Sequence, residues 1–370
     1  MDIYNWIDSN ILLPTADLVS STSISKKYNL LMKSQLWNKN KLEEYRNQHL
    51  QAIIKHAYEN VPYYHRTWKQ LGIKPEQIKT TRDLKKIPML TKDIIRNNYD
   101  DFKSNDFLSR NPKPNATGGS TGEPFRYWVD WEAYSYLKAA TLRGWSWAGY
   151  NLGDKMVSIG GTSVTPKDKG GFKVSVKDNI IFRKKGFSSM DMGPSNVEKY
   201  LEEIKKIHPK FIRGYPSSLA ILTEYLPRNF EGFSKLKAAF TTSEILSEKD
   251  RILIETNFGV EVFDDYGAGD GGIKAMECEK HQGLHLASES GLIELVKDNE
   301  EVAPGDMGTV LATGFFNYSF PFIRYEVGDS AIMATSECLC GRHLPLIKEV
   351  AGRTTDIIRF PDGTQWAGSA

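Results

Sequence analysis

The chain has 370 residues, 40% of them hydrophobic and 25% charged, with a net charge of +2. That length exceeds one ordinary domain, and the composition is that of a soluble globular protein. The balanced charge argues against a nucleic-acid partner, no run of about 18 apolar residues offers a membrane span, and three cysteines, an odd count, give no disulfide framework. The opening, MDIYNWIDSN, carries acidic residues where an export signal carries basic ones, so a reducing cytoplasm is the expected location.

Residues 1 to 35 are mixed and show no clear period. From Lys41 onward, Leu42, Tyr45, Leu50, Ile53, Ile54 and Ala57 recur at helical spacing; Asn40 followed by Glu43 resembles a capping box, and Pro62 ends the helix. LTKDIIRNN predicts a short helix capped by Thr91. After the glycine-rich stretch TGGSTGEP, residues 117 to 124, FRYWVD alternates like a strand, and residues 131 to 150 read as a buried, aromatic-rich helix.

From there strands and helices alternate. KMVSIGG, KFIRGY, LKAAFTT and VEVFDDYG are expected strands. SNVEKYLEEIKKIH, PSSLAILTEYL (with Pro216 in its first turn) and SEKDRILIETNF (capped by Ser247) are expected helices. Such alternation predicts an α/β body. After Gly283 the balance shifts to strands: GLIELV, GTVLAT and PFIRYEVGD.

TGGSTGEP lacks the lysine that follows the last glycine of a Walker loop, and a strand rather than a helix follows it. Taken alone it reads as a hairpin turn, since glycine, serine and threonine favour turns for backbone reasons. Yet hydroxyls on Thr117, Ser120 and Thr121 among Gly118, Gly119 and Gly122 exceed what a turn needs. Glycine lets backbone approach an anion, and hydroxyls and amides can then donate to it.

The stretch is followed, in order, by TTSEILS, FDDYGAGD, FIRYEVGD and VAGRTTD. Together with the N-terminal segments SQLWNKNKLEEYRNQHL and DLKKIPMLTKDIIRN, these resemble the adenylate-forming superfamily, in its phenylacetate–CoA ligase-like and CapK-type branch. The resemblance covers nearly the whole chain and implies a large multi-subdomain α/β body with mixed sheets flanked by helices and a smaller β-rich part. Residues 1–353 would form the N-terminal domain of such enzymes: a helical segment to 100, an α/β core over 101–280 and a β-rich part over 281–353, followed by a hinge and lid stub over 354–370.

The resemblance also implies roles. Thr117, Gly118, Gly119, Ser120, Thr121 and Gly122 would hold the triphosphate of ATP. Tyr266 would stack on adenine, Asp264 would accept from its amine, and Gly267, Ser243 and Glu244 would flank it. Relatives usually carry Ser or Thr and then Glu where this chain has Gly269 and Asp270; Asp270 would bind Mg²⁺. Asp329 would grip both ribose hydroxyls, with Arg324 and Tyr325 as neighbours, and Arg353 would precede the hinge. Where relatives read G-R-x-D-D, this chain places Thr355 and then Asp356. The aromatic helix, through Tyr134, Tyr136, Trp145 and Trp147, and the segment IRGYPSS are candidates to line an acid pocket; aromatics at this spacing also suit a plain core.

Cys278, Cys338 and Cys340 with a histidine offer four soft ligands, enough for tetrahedral zinc. Of His281 and His285, the resemblance favours His285. Three reduced, buried thiols are the alternative.

The reaction implied is attack of a carboxylate on the α-phosphorus of ATP, release of pyrophosphate to leave an acyl-adenylate, and thioester formation with coenzyme A. A small carboxylic acid would be the substrate, and a homodimer is left open. The lid lysine of relatives is not expected here, because the chain ends soon after Asp356. Two alternatives stand beside this: a non-catalytic nucleotide-binding or scaffold protein in polysaccharide biosynthesis, and an acid-activating enzyme that loads a carrier protein.

Overall fold

The computed structural model describes residues 3–117, 124–161, 181–190 and 192–353, with two further short strands, Ile357–Arg359 and Gln365–Ala367. Gly118, Gly119, Ser120, Thr121, Gly122, Thr355 and Asp356 lie outside the described residues. The chain divides into two compact units. The first comprises Met1–Ser20, Thr141–Tyr266 and Met276–His281; the second comprises Ser21–Ala140, Gly267–Ala275 and Gln282–Ala370.

The first unit is built on parallel strands in the order Lys184–Ser188, Met156–Gly160, Phe211–Gly214, Ala238–Thr242 and Glu261–Ala268. Parallel strands are covered on both faces, and their sequences show it: Met156–Gly160 and Ala238–Thr242 are buried at every position. The helix Pro194–Ile207 buries Val197, Leu201 and Ile204 at helical spacing, in one core with Ile212, Leu219 and Val262. Pro216 opens the helix Pro216–Glu224 as expected, and the Ser247 hydroxyl caps Glu248–Phe258 by accepting from Asp250 N at 3.0 Å. Gly259 closes that helix at a φ of 69°, which a side chain would resist.

The second unit is antiparallel where the first is parallel. Its strands run in the order Glu300–Glu301, Gly291–Lys297, Met307–Gly314, Tyr325–Met333, Leu346–Arg353 and Leu284–Leu286. The strand expected from PFIRYEVGD begins only at Tyr325, because Arg324 sits at a left-handed φ of 50° that breaks extended structure before it. The strands Lys113–Ala116 and Arg126–Val129 pair as a separate hairpin across the glycine-rich stretch. The long helix spans Lys39–Asn60 and is capped by Asn38, whose side chain accepts from Lys41 N at 2.9 Å, so the expected start at Asn40 is two residues late. Thr91 caps Lys92–Asn97 as expected, accepting from Ile94 N. Mixed sheets flanked by helices match the fold class expected.

Candidate functional site

In the first unit the pair Thr241–Thr242 lies on the strand beside Asp264–Asp265, in parallel register: Thr241 opposite Asp264 and Thr242 opposite Asp265. Each threonine hydroxyl donates to the aspartate opposite it, Thr241 Oγ1 to Asp264 Oδ1 at 2.6 Å and Thr242 Oγ1 to Asp265 Oδ1 at 2.5 Å. Asp265 also meets Arg213 at 3.4 Å and is fully enclosed, so it is a structural partner. Both carboxyls are thus engaged by hydroxyls of the neighbouring strand.

Asp264 is the more exposed of the two. Burial pushes its carboxyl up to about 7, the Thr241 hydrogen bond pulls it back down, and the charges of Asp265 and Glu277 raise it further. Its backbone N donates to Glu277 Oε2 at 2.9 Å, and Glu277 is held by a two-pronged contact from Arg251 Nη2 at 3.0 and 2.9 Å. Half-buried Tyr266 ends this unit's run of strand. Ser243 has a left-handed φ of 68°, which turns the chain sharply after the strand. Glu244 Oε2 then accepts from Ser217 N at 3.2 Å, at the start of the helix Pro216–Glu224.

In the second unit Thr117 N donates to Phe125 O at 3.0 Å and closes the hairpin stem beneath the glycine-rich stretch. Asp270 is buried. Tyr325 Oη donates to its Oδ2 at 2.8 Å, and Gly271 N donates to Oδ1 at 3.2 Å. Burial, and then the Asp270 charge, hold the phenols of Tyr325 and Tyr127 far above their ordinary range, so both stay protonated. Gly267 and Gly269 present open backbone near this carboxylate.

Asp329 lies opposite Arg353 on the neighbouring strand, and Arg353 Nε meets Asp329 Oδ1 at 3.3 Å. Gly328, at a φ of 89°, leaves room for two cations: Arg353 Nη1 and Lys92 Nζ stand 3.6 and 3.9 Å from where a β-carbon would be. Arg324, by contrast, turns into the interior. It pairs with Glu294 at 3.1 Å and donates to Ile87 O at 2.6 Å, so it is a core residue and not a neighbour of an open site.

A pocket opens beside Asp270, lined by Leu137, Tyr136, Phe315, Phe316 and Phe322 over a floor of Gly269–Gly272. The close floor depends on glycine, since a β-carbon on Gly271 would fall 2.5 Å from Ala312 Cβ. Tyr136 stacks on Phe316 with ring centroids 4.0 Å apart, and its hydroxyl meets that of Tyr45 at 2.7 Å. Of the four aromatics singled out on the helix, only Tyr136 lines this pocket; Trp145 packs against Tyr150 and Phe240 in the core of the first unit.

His285, Cys338 and Cys340, all in the second unit, bring their ligand atoms within 4.8 Å of one another, with Cys340 Sγ 3.2 Å from His285 Nε2. Cys278 lies on the Met276–His281 segment of the first unit. His281 instead pairs with Glu277 at 3.3 Å. Two thiols and an imidazole this close are a donor set that suits zinc. Tyr127, Thr241, Lys274, Arg251 and Glu277 escaped the sequence reading. The repeated pair, TT and DD on adjacent expected strands, was the one available signal for any of them.

No family model matches the chain. It is 27% identical over 330 residues to the phenylacetate–coenzyme A ligase of Escherichia coli K12, covering 86% of this chain and 72% of that protein. It is 25% identical to Protein CapK of Staphylococcus aureus, covering 86% and 70%. Among solved structures, 2-hydroxyisobutyryl-CoA ligase in its postadenylation state superposes with a TM-score of 0.72 at 20% identity, over 90% of this chain and 72% of that one. The chain is a relative of the phenylacetate–coenzyme A ligases and of CapK. Its fold is that of the adenylate-forming enzymes. Among the described residues of this relative, no helix is long and apolar enough to cross a membrane.

Proposed function

We propose that the protein activates a small carboxylic acid with ATP, releasing pyrophosphate to form an acyl-adenylate, and then transfers the acyl group to coenzyme A. The observation that carries this is the buried Asp270 carboxylate, held by Tyr325 at the edge of an apolar pocket. The pocket would take the apolar body of the acid, with its carboxylate facing the phosphates. No protein nucleophile is required, because the acid supplies it. The protein's part is to position the reactants and to offset developing charge.

Under this reading Asp264 and Tyr266 take the adenine, Ser243 and Glu244 flank it, and Asp329 takes the ribose hydroxyls beside Arg353. Thr117 and Gly118, Gly119, Ser120, Thr121 and Gly122 take the outer phosphates, and Gly267 lies along the nucleotide. Asp270 offers the hard oxygen ligand that Mg²⁺ requires; when bound, Mg²⁺ would neutralise phosphate charge. We also propose a structural zinc on His285, Cys338 and Cys340, with Cys278 as the fourth ligand.

The test is ATP–pyrophosphate exchange across a panel of aryl and short alkyl acids, with calorimetric titration by Mg·ATP and AMP and an Asp329→Ala control. Acid-dependent exchange, and nucleotide binding lost in the control, support the proposal. Nucleotide binding with no exchange for any acid would favour a non-catalytic nucleotide-binding protein, and exchange without coenzyme A consumption would favour loading of a carrier protein.

A further inference from the structure

Gly267 and Gly269 are exposed, and each faces a polar group that rises from the interior. Beside Gly267 it is Lys274, itself only 9% exposed, whose Nζ stands 3.5 Å from where a β-carbon of Gly267 would be. Beside Gly269 it is Tyr127, 3% exposed, whose hydroxyl stands 3.4 Å from where a β-carbon of Gly269 would be; among the described residues nothing else lies within 4 Å of that point. Among the described residues, both groups thus lie against exposed backbone that carries no side chain.

The Tyr127 hydroxyl accepts from Asn115 Nδ2 at 2.8 Å, which uses a lone pair and leaves its proton to donate elsewhere. Burial and the Asp270 charge keep that proton in place. A buried ammonium and a buried phenol, both brought to bare glycine backbone, make a surface for an anion.

We infer that Tyr127 and Lys274 are phosphate-binding residues, taking oxygens of the nucleotide's α-phosphate over Gly267–Gly269. The inference rests on the nucleotide reading above. It resolves an oddity of this sequence, in which Gly269 stands where a hydroxyl-bearing side chain would be expected. Tyr127 delivers a hydroxyl beside the place where that side chain would end, from a different strand. Lys274 adds a positive charge where negative charge accumulates during attack on phosphorus.

The experiment is calorimetric titration of the full chain with adenosine and with AMP, for the parent, Tyr127→Phe, Lys274→Met and the double variant Tyr127→Phe/Gly269→Ser. Each single variant should weaken AMP about tenfold, the scale of one hydrogen bond to a charged group, and leave adenosine unchanged. Serine at 269 should restore AMP affinity in the Tyr127→Phe background, which loss of packing would not allow. Parental AMP affinity in both single variants overturns the inference alone, as does loss of adenosine and AMP in equal proportion. A parent chain that binds neither adenosine nor AMP overturns the nucleotide reading and this inference with it.

Discussion

Asp264 shows how a single carboxyl couples site and stability. Its folded-state value of about 7 lies above that of an unfolded aspartate, so the folded chain holds this proton more tightly than the unfolded chain does. The stabilisation is fully present below about pH 4 and is lost as pH rises through about 7. Asp264→Asn keeps an acceptor for Thr241 and removes the titration. Melting temperature measured between pH 4 and 8 should therefore decline less steeply in this variant than in the parent; an identical decline would show that Asp264 titrates normally. The residues behind this behaviour were half legible. FDDYGAGD and TTSEILS each stand out as motifs, but nothing in either says that their strands are neighbours. What joined them was register, which brings residues 23 apart in sequence into hydrogen bonds, Thr241 with Asp264 and Thr242 with Asp265. Period and propensity do not encode which strand lies beside which, so that pairing had to come from the fold.

At the scale of elements, helices with a chemical start signal were the ones read correctly. Thr91, Pro216 and Ser247 each stand where the structure begins a helix. Asn38 was missed for Asn40 because both are asparagines near the same apolar stripe, and only the hydrogen bond to Lys41 N separates them. Asn38→Ala should cost about 1 kcal/mol in denaturant unfolding, and Asn40→Ala much less; equal costs would contradict the assigned cap. The N-terminal helices, Ile3–Ile7 and Leu13–Ser20 among them, went unread because their pattern is not amphipathic. Ile3, Trp6, Leu18 and Val19 are exposed while Asn5, Asp8 and Asp17 are buried, the reverse of the usual arrangement. Asp8 is the sharpest case. Among the described residues neither of its buried carboxyl oxygens has a hydrogen-bond partner, and burial raises its carboxyl to about 7, opposed by the Arg183 charge. Above pH 7 this unit must therefore hold a buried charge that no hydrogen bond from the described residues satisfies. Asp8→Asn should raise the melting temperature most at pH 8 and change it progressively less as pH falls toward about 4. A loss of stability at pH 8 would show that the ionised carboxylate is a wanted partner.

For the whole molecule, composition and motif order were enough to reach the fold, because five motifs in one order constrain far more than any of them alone. The pocket was less accessible: a helix of aromatics looks the same whether it faces a ligand or a core, and only Tyr136 of the four turned out to line the cavity. The cysteines lay between these extremes, since spacing proposed the thiols, the resemblance favoured His285 over His281, and the geometry brings His285 to Cys340 while His281 pairs with Glu277. Thiols gathered around an imidazole at hydrogen-bonding distance form a set of soft donors, and a metal that binds only the folded chain adds its binding free energy to stability. Protein purified without added metal should carry about one zinc per chain by elemental analysis, as a closed tetrahedral site would. Cys340→Ser should lower that content, and chelation should lower the melting temperature of the parent while leaving that of the variant nearly unchanged. A zinc content near zero in well-folded parent protein would refute the site and leave His285, Cys338 and Cys340 as reduced core residues.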